Sequence, residues 1–573
     1  MQALTRENLF RLPERWSFTL SPDGKKLAYV ESGRRLMLED RELTAFETPE
    51  ITHLHWTPDG QHLLFLHDGD LYAVDVATAE RRCLVKAPVK IFTNTIIGKG
   101  HPFYDLYKLN PKTLELIPYY KNEHYCDFLF DERGEIGLSV ALNDDRTVTL
   151  AEFNLTFTPA EAFHTEWLSY NENSLYLLDN RTTDTTALTQ IFRDGREPLV
   201  FAHDPTSDVD EVLFVGGKPV AVAFYTTSKS WQVLDPCFEA DFERLIEGLG
   251  LDFSIIQKAQ AELVWLIKRN VPEGISFWLY DRWRKQLTPL YNYPDIENLQ
   301  PMQPLAITTS DGLELTCYLT LPKGLSPYPL VVVPHGGPFK VRDRYEFSAQ
   351  HQWLASMGYA ALSVNFRGSS GCGKAFVNAA TGEWGRKMHQ DIVDAVLWCI
   401  DAKIADPRKV ALFGSSYGGY AALAGLAFTP KLFTCAVAIC GPSNLKTVLT
   451  NAYPFWETGV RFSHKTLLFT KNGFLTMIGG NPANPQEHPF LESRSPLFHA
   501  DMIEKPLLLV HGGLDTIVRA DESEQIFTRL KELGREVHYI YFPDEGHAIV
   551  HPANVAHYLT EAEKFFAAHL LQV

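Results

Sequence analysis

The chain is short of cysteine, of basic runs and of long apolar stretches, and each shortage removes a class of protein. Eight cysteines in 573 residues (Cys83, Cys126, Cys237, Cys317, Cys372, Cys399, Cys435 and Cys440) show no Cys-x-x-Cys spacing. That argues against a disulfide framework or a zinc ribbon, and points to free, mostly buried thiols in a reducing compartment, the cytoplasm. Lys and Arg number 53 against 70 Asp and Glu, a net charge of −17, so neither nucleic acid nor an anionic membrane is expected as a partner. No apolar run is long enough to span a bilayer. Met1 to Asn8 lacks the apolar core of a secretory signal. His53 and His55 would share one face of a strand, but no third ligand accompanies them, so no metal and no other cofactor is expected.

What is present is an ordinary globular composition, 45% apolar and 21% charged, on a chain too long for a single core. Two halves differ in rhythm. In the first, Ser21-Pro22-Asp23-Gly24 and Thr57-Pro58-Asp59-Gly60 each precede a short apolar strand, the pattern of a hairpin turn between strands. Weaker copies fall at Asp131–Gly134, Asn171–Ser174, Val215–Lys218 and Lys258–Ala261, and a degenerate one near Asn94 to Gly100. The spacing of about 36 to 44 residues is that of a four-stranded propeller blade and predicts seven blades, with six or eight as the alternatives. An irregular β-sandwich is the other all-β reading.

The second half alternates strand and helix. Strands are expected at 329–333, 359–364, 410–413, 433–439, 506–510 and 538–542, with helices at 350–357 and 391–400 and a closing helix over 554–571. This predicts an α/β-hydrolase fold with a mostly parallel, doubly wound sheet. The expected division is a helical N-terminal extension over 1–15 packed on the hydrolase domain, a β-propeller over 16–296 and the α/β-hydrolase domain over 297–573.

Val410-Ala411-Leu412-Phe413 runs into Gly414-Ser415-Ser416-Tyr417-Gly418-Gly419. A buried strand ending in Gly-x-Ser-x-Gly reads as a nucleophile elbow, with Ser416 on a strained turn into a helix. A serine nucleophile needs a base and an orienting acid. The order Ser, Asp, His is met by Asp515, just past one strand, and His547, just past the last. His511 precedes the acid and reads as a turn or supporting group. His551 reads as support, and Asp544 and Asp521 as ordinary loop and helix residues. The oxyanion hole requires two preorganised donors: the backbone N–H of Tyr417, and an N–H from the glycine loop His335-Gly336-Gly337-Pro338.

Further blocks accompany these residues: Asn365-Phe366-Arg367-Gly368-Ser369-Ser370-Gly371-Cys372-Gly373, Gly382-Glu383-Trp384-Gly385 followed by Asp391, Ser495-Pro496-Leu497 and Asp544-Glu545-Gly546-His547. With them the chain resembles the prolyl oligopeptidase family of serine peptidases, closest to its acylaminoacyl-peptidase branch. The resemblance implies a propeller capping the hydrolase domain, a site between them that admits short peptides, and Gly337 N–H as the second oxyanion donor. It also implies that Trp384 lies near the site, unless it is simply a buried structural indole, and that Arg461 is a candidate to hold a peptide carbonyl or terminus. Thr516 to Arg519 lacks a proline common in the family, and Trp456 to Pro482 diverges. The paired-glutamate motif of the dipeptidyl-peptidase branch is not apparent, which argues against a simple aminodipeptidase.

The expected activity is hydrolysis of short peptides through an acyl-enzyme on Ser416, releasing N-acylated or N-terminal residues. A carboxylesterase using the same residues is the alternative, and an inactive propeller scaffold a remote one. Sheet-edge pairing would allow a homo-oligomer.

Overall fold

The two Pro-Asp-Gly turns fold by the same local chemistry. Ser21 Oγ donates to Asp23 Oδ1 at 2.6 Å and accepts Lys26 N–H at 2.9 Å. Thr57 Oγ donates to Asp59 Oδ1 at 2.7 Å and accepts His62 N–H at 3.0 Å. The glycine that ends each turn has a positive φ, 70° at Gly24 and 68° at Gly60, where a side chain would be strained.

The computed structural model describes residues 3–571 apart from 12, 48–50, 88, 94, 101–103, 132–133, 144, 146, 172, 260 and 452–470. Seven antiparallel sheets follow one another, over 15–45, 52–85, 89–120, 125–157, 166–202, 209–233 and 253–293, and form a seven-bladed propeller. The Pro-Asp-Gly turns and the weaker copies fall at the junction of the first and second strands of a blade, whereas the degenerate third copy, expected near Asn94 to Gly100, overlaps the second strand of its blade, Ile96–Lys99.

The sixth blade departs from the expected four strands. It has three, and the chain then enters helix α2 (Glu239–Leu249). Phe242, Leu245 and Leu249 of α2 pack against Trp265 and Tyr280 of the seventh blade. Arg282 from that blade donates to the buried carboxylate of Asp241 at 3.0 Å.

Among the described residues no strand is exchanged between the first and last blades. The seam is joined by side chains: Gln257 accepts Leu20 N–H at 2.7 Å and donates to Leu20 C=O at 2.8 Å, and Phe18 lies 4.5 Å from Phe277.

The second half holds one eight-stranded sheet: β1 (Met302–Thr308), β2 (Glu314–Thr320), β3 (Tyr328–Val332), β4 (Ala360–Val364), β5 (Ala405–Ser415), β6 (Cys435–Ile439), β7 (Leu507–Gly512) and β8 (Val537–Phe542). The spatial order is β1-β2-β4-β3-β5-β6-β7-β8. β1 and β2 pair antiparallel, as do β2 and β4, and every other pairing is parallel.

Strand alternation sorts the apolar residues into two layers. Leu330, Leu412, Leu507 and Leu509 face helices α4 (Lys387–Asp401), α5 (Tyr417–Phe428) and α6 (Asp521–Glu532). Val331, Phe413, Leu508 and Val510 face α3 (Ala349–Ser356) and α7 (Pro552–Leu570). A sheet buried on both faces reads as continuous apolar runs, which is how these strands appear in the sequence.

The short helix α1 (Arg6–Leu9) lies in this second layer. Leu9 is buried there, and Arg6 donates to Glu563 Oε2 at 2.8 Å and Thr560 Oγ at 2.7 Å on α7. The loops that follow β3 and β4 reach the propeller. Arg342 donates to the carbonyls of Tyr225 at 3.0 Å and Thr226 at 2.9 Å, Arg344 pairs with Asp210, and Gly371 N–H donates to Asp208 at 3.1 Å.

Candidate active site

β5 ends in a turn that only glycine-rich sequence can make. A Cβ on Gly414 would lie 2.3 Å from Gly418 O, and a Cβ on Gly418 would lie 2.2 Å from Pro334 O. With those positions bare, the chain reverses into α5 and leaves Ser416 at φ 58°, ψ −121°. Such a conformation is costly for a non-glycine residue and persists where the surroundings over-determine it. Here Ser416 N–H is tied to Ile439 O at 2.8 Å. The hydroxyl stands in front of the N-terminus of α5, where backbone N–H groups favour negative charge.

Asp515 and His547 come to this serine from the loops after β7 and β8. Asp515 Oδ1 accepts the N–H groups of Ile517 at 2.8 Å and Val518 at 2.9 Å, which fixes the carboxylate plane. Its Oδ2 accepts His547 Nδ1–H at 2.7 Å, and His547 Nε2 accepts from Ser416 Oγ at 3.0 Å. With the proton of the ring held on Nδ1, Nε2 presents a lone pair to the hydroxyl. Burial raises the Asp515 pKa, but hydrogen bonds from His511 and His547 and from the Val518 amide outweigh it and hold the carboxyl well below the usual range.

The His335–Pro338 loop passes directly over the serine. A Cβ on Gly336 would sit 3.5 Å from Ser416 Cβ. Gly337 has φ 107°, and a Cβ there would press to 2.9 Å from Val341. His335 Nδ1 lies 2.7 Å from Gly336 O, and its ring stacks on Phe366 at 4.4 Å. Burial pushes its pKa down to about 4, so a neutral ring braces the loop. Phe366 belongs to the Asn-Phe-Arg-Gly block, whose next residue, Arg367, donates to Asp391 at 2.9 Å through Nε and 2.8 Å through its backbone N–H. The separate sequence blocks are thus one packed unit behind the serine.

Gly337, Ser416 and Tyr417 share a pocket with Trp384, Phe474, Val448, Leu449 and Val518. Its walls are apolar. Trp384 is buried, edge-on to Tyr417 at 4.6 Å, so it is both a packed indole and part of the wall. Arg461 lies outside the described residues.

Three supporting groups were not assigned these contacts from sequence. Glu545 is buried and accepts N–H from Val550 at 3.0 Å and His551 at 2.9 Å, and Asn554 Nδ2 at 2.9 Å, bracing the loop that carries His547. Glu522, on α6, accepts the N–H groups of Ser443 at 2.9 Å and Asn444 at 2.8 Å, and fixes the loop leading to Val448 and Leu449. Burial raises the Glu522 pKa. His511 is fully buried with Nε2 3.3 Å from Asp515 Oδ2. The only signal for Glu545 was its place in Asp544–His547.

Residues 345–572 match the profile described as the prolyl oligopeptidase family. The dipeptidyl aminopeptidase BIII of Pseudoxanthomonas mexicana is 32% identical over 99% of this chain and 88% of its own length. The acylamino-acid-releasing enzyme 2 of Oryza sativa subsp. japonica is 28% identical over 43% of this chain and 31% of its own. Among solved structures, an acylaminoacyl peptidase of Pyrococcus horikoshii superposes with a TM-score of 0.72 at 17% identity, covering 100% of this chain and 98% of that one. A puromycin-hydrolysing peptidase of Mycobacterium tuberculosis gives 0.74 at 18%, covering 99% and 96%. The chain belongs to the prolyl oligopeptidase family and is a serine-type peptidase. No helix among the described residues is long and apolar enough to cross a membrane.

Proposed function

We propose that Ser416, His547 and Asp515 form the catalytic triad of an exopeptidase that releases short N-terminal units from small peptides. The observation that carries this reading is the continuous hydrogen-bonded line from Asp515 Oδ2 through the imidazole to Ser416 Oγ, at 2.7 and 3.0 Å. Ser416 Oγ attacks the scissile carbonyl as its proton passes to His547 Nε2. Asp515 stabilises the imidazolium, which then protonates the leaving amine. Water repeats the sequence on the acyl-enzyme. The N–H groups of Tyr417 and Gly337 receive the oxyanion, an interaction worth about 10²–10³ in rate per donor.

The apolar walls around Trp384, Phe474, Val448 and Leu449 select an apolar side chain before the cleaved bond. Each buried CH₂ favours such a residue by about 0.8 kcal/mol. The likeness to a dipeptidyl aminopeptidase runs through propeller and hydrolase alike, and supports release of dipeptides with a free amino terminus. This replaces the sequence-based preference against that activity. Likeness to the acylamino-acid-releasing enzyme covers 43% of the chain, and makes release of an acylated residue the second reading. We divide the chain at 15/16 and 296/297, and place it in the cytoplasm on its eight free thiols.

A direct test compares chromogenic dipeptides carrying an apolar second residue, with the amino terminus free or acetylated, against acetylated single residues, with Ser416→Ala as blank. Faster turnover of the free dipeptide is expected. Preference for the acetylated single residue establishes the second reading, and hydrolysis of simple aryl esters alone overturns both.

A further inference from the structure

Against the candidate triad acid, Asp515, lie two side chains that peptide hydrolysis does not require, Cys440 and His511. Cys440, His511 and Asp515 are all buried, and each offers a ligand atom within 4.8 Å of the others. It is the one such histidine, cysteine and carboxylate cluster of this closeness among the described residues. Two neighbouring parallel strands build it. Cys440 follows β6 and is bent to φ 48°, with its N–H on Val510 O at 2.9 Å. His511 is in β7, and Asp515 follows that strand. A thiolate, an imidazole and a carboxylate form the mixed donor set of a borderline-soft divalent cation such as zinc.

From this cluster we propose an inhibitory site for Zn²⁺ or a similar thiophilic cation, with Cys440 Sγ, His511 Nε2 and Asp515 Oδ2 as ligands. This departs from the expectation of no metal. His511 already has the partner such a ligand needs. Its Nε2 lies 2.9 Å from Val518 O and its Nδ1 lies 2.7 Å from Ser523 Oγ. A hydroxyl can accept as well as donate, so the ring changes tautomer: the proton leaves Nε2, and Nδ1–H donates to Ser523. The oriented ring then presents a lone pair to the metal.

The thiol gives up its proton, so one proton is released for each cation bound, and affinity falls as pH falls. His547, which lies on Asp515 Oδ2, is the partly exposed side chain next to the site, at 22%.

The inhibition, though not the binding, rests on the triad reading. Asp515 Oδ2 is the oxygen that holds His547 Nδ1–H. A cation on that oxygen withdraws its charge from the imidazole, and at full occupancy turnover drops about as far as in Asp515→Asn, roughly 10⁴-fold. The metal is thus a brake on the enzyme and supplies no chemistry to it.

The test uses the full chain with the exposed Cys83 and Cys237 replaced by Ala. Cd²⁺ is titrated against the thiolate-to-metal absorption band, and Zn²⁺ against peptide hydrolysis, each variant being scored against its own metal-free rate. We expect one equivalent of Cd²⁺ to bind, the band to vanish in Cys440→Ala, and the zinc concentration for half-inhibition to rise by about 100-fold or more. Cys440→Ser serves if the alanine variant does not fold. EDTA should restore the rate.

Equal zinc sensitivity with and without Cys440, or a band that survives its replacement, overturns the site. A Cys440-dependent band in a protein that hydrolyses no peptide upholds the metal site and overturns the triad reading instead. Repeating the Cd²⁺ titration in Ser416→Ala gives the same band if the site stands.

Discussion

Asp515→Asn keeps the shape of the side chain but places an amide where Oδ2 now accepts His547 Nδ1–H at 2.7 Å. The ring is pushed to the wrong tautomer, and kcat is expected to fall by about 10⁴, with Ser416→Ala and His547→Ala falling by about 10⁶. Steady-state kinetics with an active-site titrant check this, and retention of most activity in any one of them removes that residue from the triad. Glu545→Ala acts through another group. It frees Val550 N–H, His551 N–H and Asn554, so His547 loses its fixed position. A displacement of about 1 Å can cost 10²-fold, and here it should appear in kcat with KM unchanged and near-ultraviolet dichroism retained. The serine, aspartate and histidine were legible because each follows an apolar strand, in the order that the α/β-hydrolase topology sets. The partners of Glu545, Glu522 and His511 were not. Their hydrogen bonds depend on how separate loops approach in space, and one sequence carries no record of that.

At the level of elements, the elbow and the propeller seam make contrasting demands. Gly418→Ala puts a methyl group 2.2 Å from Pro334 O. Backbone on both sides must move, and we expect loss of both folding yield and activity, read by soluble expression and circular dichroism. Gln257→Ala leaves the elbow intact but strips Leu20 N–H and C=O of their partners at the seam. Leaving buried polar groups unpaired costs about 1–3 kcal/mol each, so the propeller transition should move to lower temperature in calorimetry while the triad stays assembled. The turns of the first, second and fourth blades could be read from sequence because Asp and Gly fix local dihedrals within four residues, whereas the third was inferred from a gap and the last three were placed more by spacing. Helix α2 in the sixth blade was missed, since the blade spacing predicts a strand there. What decides for helix is the packing of Phe242 and Leu245 against Trp265 and the pairing of Asp241 with Arg282.

On the scale of the whole molecule, the loop after β3 couples the two halves and carries a pH dependence. Asp343 lies between Arg342 and Arg344, which reach the propeller, and burial pushes its pKa up to about 7 against the Ser363 hydroxyl and Arg342. A free aspartate titrates near 3.9. Between about pH 4 and 7 the folded protein therefore keeps a proton that the unfolded chain has released, and stability falls as pH rises through that window. Asp343→Asn mimics the protonated form, so its melting temperature should vary less between about pH 5 and pH 8, with the gain over the parent largest at pH 8. An equal shift at both values removes Asp343 as the cause.

The docking of α1 on α7, through Arg6, Thr560 and Glu563, also fixes an order of events at the ribosome. Residues 6–9 are made before the propeller strands, and 552–570 after every strand of the hydrolase sheet. The propeller between them has all its own strands in hand long before α7 is made, while the second layer of the hydrolase sheet cannot close until α7 has emerged. Ser416 therefore meets His547 only after the propeller strands have all been made.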